Sequence, residues 1–156
     1  MDPMEEIWNE VSEPAEDGNR YITYKNLGSL SYLYVTGYYS TFDENGENGL
    51  EIEVSADEAG SYADLEVDFD NSSASDNQED GMQIDLQTTA GGTIYGYAYI
   101  YESTLDENGD DGLDVYLAAT DVDSYTYLDL GFVDSTADGN DDDGIAIEIE
   151  SQDSGL

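Results

Sequence analysis

A seven-residue acidic turn, D-x-N-x-[DE]-[DN]-G with the first Asp once replaced by Ser, recurs four times along the chain at nearly constant spacing. It reads Asp43-Glu44-Asn45-Gly46-Glu47-Asn48-Gly49 and Asp106-Glu107-Asn108-Gly109-Asp110-Asp111-Gly112 in two copies. The others are Ser75-Asp76-Asn77-Gln78-Glu79-Asp80-Gly81 and Asp138-Gly139-Asn140-Asp141-Asp142-Asp143-Gly144. The closing glycines fall at 49, 81, 112 and 144, so the spacings are 32, 31 and 32 residues. A fixed period of this length is an internal structural repeat, and every other reading of the chain has to respect it.

Each turn lies between two runs that alternate apolar and polar, the pattern of a strand with one buried face. Aligned on the closing glycine, the first runs place Leu33/Val35/Gly37, Leu65/Val67/Phe69, Gly96/Ala98/Ile100 and Leu128/Leu130/Phe132 on one side. The second runs place Leu50/Ile52/Val54, Met82/Ile84/Leu86, Leu113/Val115/Leu117 and Ile145/Ile147/Ile149 there. Strand, turn, strand reads as a hairpin. The expectation is therefore an all-β domain over 29–156: four β-hairpin repeats, about eight strands, closed as an antiparallel sandwich or barrel.

Ahead of the repeats, residues 1–14 carry a helix signature. Asp2 suits the N-cap, Pro3 the first turn, and Met4, Ile7, Trp8 and Val11 form one apolar stripe. The expectation is a short N-terminal amphipathic helix that plugs the β core or docks a partner. Residues 15–28 read as a linker with a possible edge strand at 21–24.

The 39 Asp and Glu stand against 2 Lys and Arg, a net charge of −37. Such a surface repels nucleic acid and anionic lipid, and suits high salt, divalent cations or a basic partner. With no His and no Cys, the usual general base, zinc ligands, thiolate chemistry and disulfides are all excluded. No P-loop is present, and no carboxylate sits in an apolar run that would tune it for glycoside hydrolysis. The chain reads as no enzyme. It has no apolar run long enough for a membrane-spanning helix and no signal-peptide pattern at its start.

The alternate oxygen-bearing residues of the turns are what hard cations take as ligands. The candidates are Asp43, Asn45, Glu47 and Glu51; Asn77 and Glu79; Asp106, Asn108, Asp110 and Asp114; and Asp138, Asn140 and Asp142. The second turn, with Ser75 and Gln83, is the poorest. Plain turn chemistry also favours Asp, Asn and Gly. It explains Asn45-Gly46 and Asn108-Gly109 but not why Asn77 and Asn140 keep their place without a following glycine. Calcium is therefore the expected cofactor.

The stretch Asp106-Glu107-Asn108-Gly109-Asp110-Asp111-Gly112-Leu113-Asp114 resembles the calcium loop of FG-GAP repeats, the integrin-type propeller blades. That resemblance implies Asp106, Asn108, Asp110 and Asp114 as side-chain ligands. The glycine stands one place later here than in that family, and only the loops match.

The first strands of repeats one and three bear Tyr32, Tyr34 and Tyr38, and Tyr95, Tyr97, Tyr99 and Tyr101, where repeat two has mostly acids. The expected function is a calcium-binding structural or adhesive β-repeat module, self-associating through this tyrosine face. The alternative is an acidic DNA mimic that occupies a basic nucleic-acid-binding protein. An extracellular or cell-surface location is expected, with the cytoplasm of a salt-accumulating halophile as the other.

Overall fold

A computed structural model describes residues 5–6, 21–26 and 30–152. Ten strands run in chain order: β1 (Glu5–Glu6), β2 (Tyr21–Asn26), β3 (Leu30–Tyr38), β4 (Leu50–Ala56), β5 (Tyr62–Asp70), β6 (Met82–Thr88), β7 (Thr93–Tyr101), β8 (Leu113–Ala119), β9 (Tyr125–Val133) and β10 (Ile145–Ser151). They form two parallel sheets, ordered β1-β3-β5-β7-β9 and β10-β8-β6-β4-β2. The fold is a β-solenoid of about four coils.

This corrects the expected antiparallel sandwich or barrel of hairpins. The strands flanking each acidic turn do not pair with each other. β3 pairs with β5, one repeat on, from Leu30↔Tyr62 to Tyr38↔Asp70, and β4 pairs with β6 in the same manner. The strands before and after a turn lie in opposite sheets and meet through their apolar faces. Period-two alternation is identical for both arrangements, because it reports one buried face and not the identity of the hydrogen-bonded neighbour.

No helix occurs among the described residues. Glu5 and Glu6, inside the expected N-terminal helix, instead pair in parallel with Ser31 and Tyr32. The rest of that segment lies outside the described residues. Tyr21–Asn26 forms the last strand of its sheet, beside β4.

The core is the space between the sheets. Leu33, Leu65, Val67, Phe69, Ile52, Ile84, Leu86, Ile100, Leu113 and Val115 are essentially inaccessible. In-register stacking places like on like, Ile52 on Ile84 and Leu65 between Leu33 and Gly96. Burial fades in the last coil: Leu128, Leu130 and Phe132 are partly covered, while Ile147 and Ile149 are 56% and 71% exposed.

The closing glycine of each turn is required by the tight spacing of coils. A Cβ on Gly81 would lie 2.6 Å from the carbonyl oxygens of both Ala74 and Gly112.

Candidate metal centre

The acidic turn is the corner where the chain leaves one sheet for the other. Because coils stack in register, each turn position becomes a row along the solenoid, with neighbours about 4.8 Å apart. Three rows do separate work.

The Asn row is a buried amide ladder. The backbone N–H and Nδ2–H of Asn45 both donate to Oδ1 of Asn77, at 3.0 and 2.8 Å. Asn77 does the same to Asn108 at 3.1 and 3.0 Å, and Asn108 to Asn140 at 2.9 and 3.0 Å. Asn45 Nδ2 also reaches the Phe42 carbonyl at 2.7 Å. An amide is both donor and acceptor, so one residue type can repeat along the row without a mismatch. This is why Asn persists at 77 and 140 without a glycine after it.

The first-Asp row satisfies backbone. Asp43 Oδ1 accepts from the Ser75 N–H at 2.8 Å and from the Ser73 hydroxyl at 2.6 Å. Asp106 Oδ1 accepts from the Asp138 N–H at 2.8 Å, and its Oδ2 from the Thr136 hydroxyl at 3.0 Å. The residue after each of these, Glu44, Asp76, Glu107 and Gly139, sits at positive φ of 59°, 58°, 60° and 76°.

The third row is Asn48, Asp80, Asp111, Asp143. Here Oδ1 of each accepts the N–H of the next coil: Asp80 N–H to Asn48 at 2.9 Å, Asp111 N–H to Asp80 at 3.0 Å, Asp143 N–H to Asp111 at 2.7 Å. As in the amide row, one Oδ1 accepts one backbone N–H per step, but in the opposite sense and without a second bond, and from Asp80 onward the side chains are carboxylates. Asp80 is 6% exposed. Burial pushes its carboxyl up to about 6, offset in part by the Asp111 N–H and reinforced by the charges of Asp114, Asp110 and Asp111. Asp111 is raised as well, first by burial and then by Asp110 and Asp114 beside it.

One group of three carboxylates among the described residues is compact enough for an ion. Oxygens of Asp80, Asp110 and Asp111 lie within 4.8 Å of one another; Asp80 is buried, Asp111 half-buried and Asp110 exposed. Such an arrangement offers hard oxygens from one open side, the donor set that Ca²⁺ takes together with water.

Of the candidates read from sequence, Asp110 alone belongs to this group. Asn45, Asn77 and Asn108 have their side-chain amides in the ladder, and Asn140 its Oδ1. Asp43 and Asp106 hold backbone and hydroxyl donors. Glu47, Glu79 and Asp142 share the outward row of Asp110. The fourth turn's Asp138 donates its N–H to Asp106. Asp114 lies on the outer face of β8, where it accepts from Gln83 Nε2 at 3.1 Å and raises Asp80 electrostatically. Glu51 stands in the same strand row, its carboxyl raised by burial and then by Glu53 and Glu47. Sequence reading missed Asp80 and Asp111. Both were visible as the [DN] before the closing glycine, a position that alternate-residue counting skips.

The tyrosine face is real as a surface and internally bonded. Tyr97, Tyr99 and Tyr101 are each more than 40% exposed. Strand β5, rich in acid, lies between the tyrosine strands β3 and β7. The Tyr32 hydroxyl donates to Glu66, and Tyr34 to Asp68 at 2.7 Å. Burial and the Glu66 carboxylate push Tyr32 up to about 12, so its phenol stays a donor. Tyr95 packs against Tyr62 and Tyr125, centroids 5.6 and 5.4 Å apart.

No protein-family model, curated protein or solved structure matches the chain. No helix among the described residues is long and apolar enough to cross a membrane.

Proposed function

We propose that the chain is a non-enzymatic structural module, an acidic β-solenoid stiffened by calcium at the Asp80/Asp110/Asp111 corner. The observation that carries this reading is the convergence of three carboxylates on one site, one of them buried. Two carboxylates about 4 Å apart repel by roughly 1 kcal/mol in water and about 4 near a protein surface. A divalent ion converts that repulsion into attraction and leaves the backbone ladders undisturbed. Among the described residues the rest suits a spacer: no cleft gathers acid, base and nucleophile, and hydrogen-bonded rows run from coil to coil.

Thermal melts in chelator and in saturating Ca²⁺ test the reading. With free ion at about a hundred times its dissociation constant, one site adds about 2.7 kcal/mol. For a domain this size that is a rise of roughly 5–10 °C in Tm. Asp110→Asn, at an exposed position, should fold normally and lose the shift. Superimposable wild-type curves would overturn the proposal.

A further inference from the structure

On β5 the residues that alternate with the buried Leu65, Val67 and Phe69 are Asp64, Glu66, Asp68 and Asp70, which face outward. Successive outward residues of a strand stand about 6.6 Å apart, so these four form a column of carboxylates. Tyrosine flanks the column. On the β3 side Tyr32, Tyr34 and Tyr38 are in register with Asp64, Glu66 and Asp70. On the β7 side Tyr95, Tyr97, Tyr99 and Tyr101 are in register with Asp64, Glu66, Asp68 and Asp70. β5 has a hydrogen-bonded strand on each side, so this trough is interior to the sheet.

The two walls differ. From β3, Tyr32 donates to Glu66 and Tyr34 to Asp68 at 2.7 Å. A phenol is neutral, so it orients a carboxylate without cancelling its charge, and a carboxylate has room for further donors. The β7 rings lean the other way, onto β9. Tyr97 meets the Tyr127 ring at 6.4 Å, and Tyr99 lies over Gly131, 2.7 Å from where a Cβ would stand. Glu66 and Asp68 are bordered on that side by rings 41% and 45% exposed. None of β3, β5, β7 and β9 contains Lys or Arg.

We propose that this trough binds an extended, arginine-bearing segment of a basic protein. An extended chain laid along β5 points every second side chain at the column, at the column's own spacing. A guanidinium forks a carboxylate and lies on a tyrosine face, which an ammonium does less well. The occupant is foreign, because the same face of a second copy would oppose carboxylate to carboxylate. A sugar fits less well: rings tilted by 38° between Tyr62 and Tyr95, and by 66° between Tyr97 and Tyr127, make no flat stacking platform. Nor does the overall charge of −37 single out this face. The outer face of the other sheet is acidic at Glu51, Glu53 and Asp85, yet across β4, β6, β8 and β10 it has one tyrosine, Tyr116.

This goes beyond the spacer reading and does not involve the ion. Fluorescence anisotropy with the full chain tests it at about 0.15 M salt, where a screening length of about 8 Å damps attraction from the rest of the surface. The probes are two capped peptides of four arginines and three threonines, one alternating and one with the arginines contiguous. Alternation sets all the arginines on the column and contiguity only half of them, so the alternating peptide should bind about tenfold tighter. Glu66→Gln/Asp68→Asn should weaken its binding about tenfold, and Tyr97→Ser/Tyr99→Ser about fivefold. Glu51→Gln/Glu53→Gln, on the other sheet, should change it by less than about twofold. Circular dichroism confirms folding of each variant, and the near-isosteric carboxylate changes keep the test open should the tyrosine variant not fold. The ranking should be the same in saturating Ca²⁺ and in chelator, so it stands or falls apart from the calcium reading. Equal binding of the two peptides overturns the proposal, as does no binding of the alternating one. Equal losses from the variants of the two sheets also overturn it, leaving diffuse attraction only. A loss from the tyrosine variant without one from the carboxylate variant would mean aromatic stacking, and would overturn a cationic partner.

Discussion

Two rows in the same turn do the same backbone work with different side chains. Asn45, Asn77, Asn108 and Asn140 tie coil to coil through Oδ1 and an N–H, and so do Asn48, Asp80, Asp111 and Asp143. They run in opposite senses: in the amide row each coil donates to the next, and in the acid row the next coil donates back. The amide row also carries a second, Nδ2, bond per step and is buried in its first three members, with Asn45, Asn77 and Asn108 at 9%, 3% and 2% exposure. A carboxylate there would accept and never donate, leaving oxygen facing oxygen. The acid row needs only an acceptor, so Asn48 and Asp80 serve equally well as hydrogen-bonding partners. What separates them is charge. Enclosure alone does not explain the choice, since Asp80 at 6% exposure is as buried as Asn48 at 5% and more so than Asn45 at 9%; the acid row keeps a carboxyl there beside Asp110 and Asp111.

Exchanging residue types between the rows tests this directly. Asn77→Asp should have the largest effect. It removes the bond to Asn108 Oδ1, buries a charge and sets two oxygens against each other. Leaving buried polar groups unmatched costs about 1–3 kcal/mol each, so the variant should lose about 3 kcal/mol or more in urea unfolding at pH 7. A loss below about 1 kcal/mol, the worth of one ordinary hydrogen bond, would mean the ladder is incidental to stability.

The reverse exchange, Asp80→Asn, should be stabilising in chelator. The Asp80 carboxyl is pushed up to about 6 in the folded chain, above its ordinary range. A group whose folded pKa is raised favours the native state when protonated. Its contribution is present in full near pH 4 and is lost as pH rises through about 6, on the order of 2–3 kcal/mol. The wild type without calcium should therefore weaken from pH 4 to 6.5, and Asp80→Asn should weaken much less. Asp85 and Asp111, both raised with the same sign, keep part of the slope. Saturating Ca²⁺ should flatten the wild-type slope, because the ion favours the ionised form, and should add little to the variant. A wild type whose stability rises with pH over this window without calcium would contradict the assignment.

The inward faces were legible because burial writes itself as alternation. Leu33, Val35, Leu65, Phe69, Ile84 and Val115 all point where the pattern puts them. Pairing was not legible from alternation, which is blind to the neighbour. The hint lay in length: the eleven residues between Tyr38 and Leu50 exceed a two-residue hairpin turn and suit a corner between sheets. The constant 31–32 spacing pointed the same way, since equal coils stack in register. The ladder was half visible, as an Asn that kept its place when turn propensity no longer required it. The Asp80 and Asp111 carboxylates escaped notice because ligand counting by alternate residues treats the chain as a single loop. In a solenoid the third dimension comes from the neighbouring coil, and sites form across rows.

The smallest expected effect lies beside the two rows, at the residue that lets the turn reach them. Glu44 has a left-handed backbone, φ 59°, and its counterpart in the last coil is Gly139. A non-glycine residue there carries a strain of about 1–2 kcal/mol, partly offset because glycine loses more chain entropy on folding. Glu44→Gly should therefore gain about 0.5–1 kcal/mol in urea unfolding. Charge is a second cause, since Glu44 stacks in register with Asp76. Glu44→Gln removes the charge and keeps the Cβ, so it separates the two. If strain dominates, Gly gains and Gln changes little, and raising the salt leaves the gain intact. If row charge dominates, Gln gains as much as Gly and both gains fade in salt, which would extend the charge penalty of the Asp80 row to the whole outer corner.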